Sequence, residues 1–374
     1  MRGPGAYRGR LSNGFLARVF RAKLTALLWL LLGLLPLSAA EHSTVRPDET
    51  VVLMPAAAHL HDDGTHWVVP LHAWVYLRQH SRFRRTAIAR LLKLRYGLEV
   101  TTTNRRYFDP RINLLLADNK RGRTVVVEVA GVRATLGPTA ANGHARGAVL
   151  LPVSQAARDG ARLTARVIFA PGDARRQQET SVELIGRGGA SVISDIDDTV
   201  KVTHVRESRR MWETTFYKPF EPVADMAQVY RRLANQGSAF HFVSSSPWHL
   251  AEPLLEFLQS AGFPLSTLAL KHMRLKDRTL LDIARPGRET KPPQIAAILA
   301  RFPERRFTLI GDSGEDDPEI YAEAYRKNPS QVVRILIRNV TNANRDDARF
   351  TRAFAGIEPA RWALFEDPGV IGQP

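Results

Sequence analysis

The chain has 374 residues, 44% of them hydrophobic, with 53 basic and 37 acidic side chains and a net charge of +16. That composition is globular and long enough for two domains. The absence of cysteine excludes disulfides, thiolate metal sites and cysteine nucleophiles, although it suits either redox compartment.

In chain order, the segment Met1 to Ala40 comes first. It carries six basic side chains (Arg2, Arg8, Arg10, Arg18, Arg21 and Lys23) and no acid. An apolar run, Leu24 to Leu35, follows the last of them, then Pro36 and the small side chains of Ser38, Ala39 and Ala40. This order predicts a secretory signal with cleavage after Ala40, and so an exported, periplasmic or extracytoplasmic protein. The run is shorter than the roughly 20 residues of a spanning helix, and an uncleaved anchor is the alternative. Without these six, the remainder still holds 47 basic side chains against 37 acidic. That balance favours anionic partners such as acidic lipids, and no nucleic-acid recognition module accompanies it.

Residues 41–49 read as a linker, and 41–189 as a β-rich domain. "HWVVPLHAWVYLR" is rich in β-branched and aromatic residues, and "GRTVVVEVAGVRATLG" and "ARLTARVIFAPG" alternate in places and end in Gly or Pro turn signals, the pattern of an all-β sandwich. One stretch departs from it. In "SRFRRTAIARLLKLRYGL", residues 81–98, Phe83, Ala87, Leu91 and Leu94 recur at helical spacing among Arg82, Arg84, Arg85, Arg90, Lys93 and Arg95. This basic amphipathic helix either packs on the β domain with a solvated basic face or meets an anionic membrane.

From Ala190 to the end, apolar runs alternate with helical patterns, which predicts an α/β domain with a parallel sheet and flanking helices. Ligands of such sheets bind at the carboxyl ends of the strands. Three strand ends there are polar: Asp195-Ile196-Asp197-Asp198-Thr199, Ser244-Ser245-Ser246-Pro247, and Gly311-Asp312-Ser313-Gly314-Glu315-Asp316-Asp317. If they converge, their acids repel one another unless a hard cation joins them, and Mg²⁺ suits a few carboxylates plus a phosphate. Of the pair Asp195 and Asp197, one carboxylate can attack phosphorus. The other can protonate the leaving oxygen and then activate water. Asp195 must then be ionised and Asp197 protonated. Ser244 can hold a phosphoryl oxygen. Lys291, opening a helix, can neutralise phosphate and aspartate, with Lys271 and Lys276 as competitors.

This layout resembles the haloacid dehalogenase superfamily: DxDxT on the first strand, a hydroxyl after the second, a lysine, then GD with further acids. More narrowly, "SVISDIDDTVKVT", "FHFVSSSPWHL" and "GDSGEDDPEIY" look like the catalytic domain of the actin-patch-associated phosphatidate phosphatase family over about 190–365. The preceding β region is similar to the β domain of that family. The resemblance implies a haloacid-dehalogenase-like sheet preceded by an all-β sandwich-like domain. It implies Asp195 as nucleophile and metal ligand, and Asp197 as acid/base with its carbonyl on the metal. Thr199 would orient Asp197, Ser244 would bind phosphate, and Lys291 would neutralise charge. Asp312 would be the principal metal acid, with Asp317 as the second and Asp316 as its rival.

Other readings of the same residues are weaker. A calcium loop at Asp195 fails because its sixth position is Val200 and its twelfth is Arg206. No nucleophile elbow frames the serines. Glu315 is expected to complement a helix dipole. Trp248, His204 and His249 read as packing or outlying residues. Arg206, Arg209 and Arg210 either grip substrate beneath Trp212 and Phe216 or form a basic loop. The expectation is a Mg²⁺-dependent phosphatase acting through an aspartyl phosphate, with phosphatidate as substrate and peripheral contact with an anionic membrane. A soluble sugar, nucleotide or phosphoprotein monoester is the rival substrate. A non-catalytic protein binding anionic membranes is the rival class.

Overall fold

The computed structural model describes residues 40–154, 159–173, 178–271 and 287–372. The signal expected before Ala40, and Lys276, lie outside them. Residues 41–374 form one compact unit.

Its first sheet is built from β1 (Thr50–Leu53), β2 (Ala56–Leu60), β3 (His66–Leu77), β4 (Asp118–Asn119), β5 (Val125–Val129), β6 (Val132–Leu136), β7 (His144–Pro152), β8 (Arg162–Val167) and β9 (Glu179–Ile185). Hydrogen bonds join all nine in the order β1-β3-β2-β9-β8-β5-β6, with β4 and β7 also on β3. Strand β3 buries Trp67, Val69, Leu71 and Ala73 in alternation, which sets one apolar face inward. Pro70, which cannot donate to a ladder, falls between the stretches of β3 that pair with β2 and β1. The β5–β6 hairpin turns on Ala130 and Gly131, both at positive φ, the geometry a two-residue turn needs.

Between β3 and β5 run α1 (Arg82–Tyr96) and α2 (Arg105–Leu115). Ser81 caps α1, its hydroxyl accepting from the Arg84 N–H, and Gly97 ends it at φ 68. The face that α1 buries is not the expected one. Leu92 is fully buried and Ile88, Ala89 and Tyr96 pack beside it, whereas Phe83, Ala87, Leu91 and Leu94 are exposed.

The second sheet holds β10 (Ala190–Ser194), β11 (Ala239–Pro247), β12 (Thr267–Lys271), β13 (Arg306–Asp312), β14 (Val332–Arg338) and β15 (Trp362–Phe365). All are parallel, in the order β12-β11-β10-β13-β14-β15. Helices α3 (Ser208–Trp212), α4 (Met226–Asn235), α5 (Ala251–Ser260), α6 (Lys291–Arg301), α7 (Asp317–Lys327) and α8 (Ala348–Ala353) connect them. The chain leaves β10 towards β11 and β12, then returns to place β13 on the other side of β10. That reversal opens a crevice at the carboxyl ends of β10 and β13. The final strand, unread in the sequence, is held by Trp362 stacked on Phe354 at 4.1 Å.

The two halves share a core. Trp74 and Tyr76 of β3 lie in one apolar cluster with Trp212, Phe216 and Leu254. The Tyr76 hydroxyl donates to Glu252, and Arg78 pairs with the same carboxylate at 2.7 Å. The change from one sheet to the other at 189–190 is therefore not a gap between separate bodies.

Candidate active site

Strand β10 carries the apolar run Val192–Ile193 into Ser194, and Asp195 stands at its end. The Asp195 N–H donates to the Ile310 carbonyl of β13, 2.9 Å away, which fixes the aspartate over the crevice. Strand β13 delivers Asp312, and α7 opens with Asp317, an acid at the end of the helix where the dipole favours one. The Asp317 carboxylate accepts from the Asp312 N–H at 3.2 Å. Gly311 permits this approach, because a methyl group there would collide with the Asp317 carboxylate and the Tyr321 ring. Arg349 pins the following loop through the Ser313 and Glu315 carbonyls and the Glu319 carboxylate.

Asp195, Asp312 and Asp317 are fully buried, and each offers an oxygen within 4.8 Å of the others. Asp195 Oδ2 and Asp312 Oδ2 are buried with no donor among the described residues. Orphaned anionic oxygens at this spacing are the donor set a hard divalent cation takes, so these residues fit Mg²⁺. Burial pushes the Asp195 carboxyl well above the usual range, and the nearby acids add to it against the pull of Lys291. Asp312 is raised by burial and by Asp317 and Glu315.

Lys291 lies beneath these acids. Its Nζ is 2.8 Å from Asp195 Oδ1, 2.9 Å from Glu315 and 2.5 Å from Asp317. Burial pulls the ammonium down, and the three carboxylates more than reverse it, so it stays charged. A lysine at the first position of a helix opposes the dipole, and the buried acids offset that cost. Lys271, at the end of β12, makes no ion pair with the cluster.

Asp197 is held differently. Its Oδ1 lies 2.8 Å from Lys201 Nζ and accepts from the Thr203 hydroxyl at 2.9 Å. Its Oδ2 accepts from Ser244 and Ser246 at 3.0 and 2.8 Å. Burial alone would raise this carboxyl, but Lys201 and the hydroxyls reverse that and lower it to about 2. The resting site therefore keeps Asp197 ionised, not protonated as the acid role required.

Other expectations change too. Thr199 is buried, but its hydroxyl has no partner among the described residues, and Thr203 makes the contact to Asp197 instead. Asp198, left without a role, sits at φ 56 and accepts from the N–H groups of Thr203, His204 and Val205. It folds the loop that returns Lys201 and Thr203 to Asp197. Asp316 pairs with Arg288 at 3.0 Å, away from the cluster. Glu315 reaches Lys291 and does not serve the helix dipole. Lys201, Thr203, Ser246 and Glu315 were missed as site residues. The signal for Ser246 was present: two residues from Ser244 on one strand share a face.

Around this centre, Trp248 packs edge-on against His72 and His144. His249 is buried with its ring against Trp74, and burial lowers it to about 4. His204 makes no ion pair with the cluster among the described residues; its backbone N–H donates to Asp198. Arg209 donates to the Tyr96 carbonyl and Arg210 pairs with Glu207, so neither turns to the crevice. Arg206 lines a cleft of about 600 Å³ with Arg288, Glu315 and Arg349. Trp212 and Phe216 stack at 5.0 Å within the core.

Residues 190–339 match the family described as "Phosphatidate phosphatase APP1, catalytic domain". An uncharacterized protein of Schizosaccharomyces pombe is 35% identical over 165 residues, covering 43% of this chain and 27% of that protein. Phosphatidate phosphatase APP1 of Saccharomyces cerevisiae is 34% identical over 162 residues, covering 42% of this chain and 27% of its own length. The match thus spans about a quarter of each curated relative. Among solved structures, D,D-heptose 1,7-bisphosphate phosphatase from B. bronchiseptica, complexed with magnesium and phosphate, aligns over 48% of this chain and 93% of its own. It does so at 14% identity and a TM-score of 0.29, too low to bear on the fold.

Proposed function

We propose a function for a chain whose residues 190–339 belong to the phosphatidate phosphatase APP1 catalytic-domain family: it is a Mg²⁺-dependent phosphatase that forms a phosphoaspartyl intermediate, with phosphatidate as its substrate. The observation that carries this reading is the cluster of Asp195, Asp312 and Asp317 with two orphaned oxygens, met by the Lys291 ammonium. Asp195, Asp312 and Asp317, with the Asp197 carbonyl, would hold the cation, which supplies charge neutralisation to the phosphoryl oxygens.

The Asp195 carboxylate attacks phosphorus, the ester P–O bond breaks, and the leaving oxygen takes a proton from Asp197. Asp197 must gain that proton first. The incoming phosphoryl group brings negative charge beside it, which favours the protonated carboxyl. Water then attacks the aspartyl phosphate, giving its proton to Asp197, and phosphate leaves with Asp195 restored. Ser244 and Ser246 orient Asp197 through their hydroxyl protons, and once Asp197 is protonated those hydroxyls can turn to the phosphoryl oxygens. Lys291, 2.8 Å from Asp195 Oδ1, favours the ionised carboxylate against its burial, and the cation would add to that pull.

The test is phosphate release from vesicles containing phosphatidate, with Mg²⁺ or with a chelator. Release with Mg²⁺ and none with chelator supports the reading. Hydrolysis of soluble monoesters alone moves the substrate to a sugar, nucleotide or phosphoprotein, and no release from any ester removes the enzyme. Export through the segment Met1 to Ala40 is part of the same proposal, and fractionation of cells expressing the full chain tests it.

A further inference from the structure

Helix α1 has two apolar faces on opposite sides. At about 100° per residue, Leu92, Ala89 and Tyr96 fall on one side, and they are seated on the protein. Phe83, Ala87 and Leu94 fall on the other. Phe83 is 84% exposed and Leu94 is 87% exposed, with Leu91 at the margin of the same face. Phe83 and Leu94 stand about 16 Å apart along the axis, at about 1.5 Å per residue. Packing within this chain explains the first face and leaves the second outward.

The charges on α1 are arranged around that second face. Six of its fifteen residues are basic and none is acidic. Arg85 turns inward to Asp109, and Lys93 pairs with Glu99. Arg82, Arg84 and Arg90 are exposed and have no carboxylate partner among the described residues. Long basic side chains flanking an apolar stripe can reach headgroup phosphates while the stripe sits among acyl chains. No helix of the described residues is long and apolar enough to cross a membrane, so α1 would lie in the interface. Like charge disfavours the alternatives. The segment Met1 to Ala40 holds six basic side chains and no acid, and a second copy would present the same basic helix.

The position of the face also fits a lipid surface. A groove of about 810 Å³ runs beside Phe83, Ala87 and Leu91 to Leu116 and His249, two residues past the end of β11. At its other end, α1 sets Tyr96 against Trp212 of α3, in the loop that follows Asp195. We propose that α1 docks this chain on an anionic lipid surface, with Phe83, Ala87 and Leu94 entering the headgroup layer. Docking needs no catalysis; only its use, presenting a membrane-borne monoester to Asp195, rests on the phosphatase reading.

The test takes the full chain with Asp195→Asn, so that no lipid is consumed. The chain has no cysteine, so Ala87→Cys places a single polarity-sensitive label on the face. Thr135→Cys, exposed on β6, places the reference. With vesicles of phosphatidylcholine and phosphatidylserine, the label at 87 should become shielded from aqueous iodide, and the label at 135 should not. Adding Phe83→Ser and Leu94→Ser should weaken the partitioning read at 87 by about tenfold or more. Arg82→Gln, Arg84→Gln and Arg90→Gln should remove the preference for anionic vesicles and its dependence on salt. A label at 87 as quenchable with vesicles as without overturns the proposal. Shielding at 87 without lipid also overturns it, by identifying a second copy or the segment Met1 to Ala40 as the occupant. Equal shielding on pure phosphatidylcholine overturns the anionic preference. With Asp195 restored, Phe83→Ser/Leu94→Ser should hydrolyse a soluble aryl phosphate at an unchanged rate. That arm reports on the enzyme and the vesicle arm on docking, so either can fail alone.

Discussion

At the carboxyl ends of β10 and β13, Asp195, Asp312, Asp317 and Glu315 gather around the buried ammonium of Lys291. On α1, six cations share fifteen residues with no acid, and Phe83 and Leu94 point outward between them. Both regions concentrate charge of one sign. In the crevice, burial makes unpaired charge costly, so a counter-charge is built in and a cation fits the oxygens left over. On α1, Arg85 and Lys93 find Asp109 and Glu99, but Arg82, Arg84 and Arg90 are left to water with no carboxylate partner among the described residues, which suits a partner that supplies one. A buried cluster thus carries its neutralisation within the fold, and an exposed one leaves it to an encounter.

Four experiments would break or sharpen that contrast. The largest effect is expected from Asp195→Asn, which removes the attacking oxygen. Phosphate release should fall by about 10³-fold or more, with thermal unfolding still cooperative and no less stable, because a repelling carboxylate has gone. Full activity in this variant ends the phosphoaspartyl mechanism.

Lys291→Met comes next. It leaves Asp195, Asp317 and Glu315 buried without their cation and should cost about 3–5 kcal/mol in urea unfolding without metal. Mg²⁺ should recover part of that loss, since it binds the folded cluster. If Mg²⁺ does not shift the unfolding midpoint of the unmutated chain, the three acids are not a metal site.

Thr203→Val against Thr199→Val is a smaller and sharper comparison. Thr203 donates to Asp197 and Thr199 does not. Removing a hydrogen bond to a charged group costs about 1.5–3 kcal/mol. Thr203→Val should therefore lower kcat by roughly ten- to a hundredfold, with Thr199→Val close to the unmutated rate. The reverse ranking would return Thr199 to the role expected from its motif position.

The smallest effect is a pH slope. His241 lies inside the second sheet, and burial, then Arg305 and Arg301, lower it to about 3. The unfolded chain takes a proton near the ordinary value of 6.5 and the folded chain does not. Stability should therefore fall as pH drops from about 6.5 towards 3, by up to about 1.4 kcal/mol per pH unit for this group. His241→Asn should flatten that slope in urea titrations at stepped pH. An unchanged slope assigns it to other groups, such as His249.

The alternation of strands and helices in the second half was legible because three apolar runs end in polar clusters and the segments between runs have helical spacing, although β12 went unread. The placing of the candidate residues was legible for a related reason, since Asp195, Asp197, Ser244 and Asp312 all stand at or near strand ends. Lys201 and Thr203 were not, because they return to Asp197 only through the turn that Asp198 folds at positive φ. Nor was β15, whose four residues give too short a run to show a period.

By itself, then, the sequence determined the local patterns: the longer strand-like runs, that α1 is a basic helix, and that acids and hydroxyls end three strands. These follow from side-chain periodicity and turn chemistry, which act over a few residues. Only the tertiary structure decided which face of α1 is buried, which of Asp316 and Asp317 joins the cluster, and which hydroxyls hold Asp197. Those outcomes depend on groups brought together from distant parts of the chain. For α1 in particular, the spacing of Phe83, Ala87, Leu91 and Leu94 defines an apolar face, but only the packing of Leu92 and Tyr96 determines that it points to solvent.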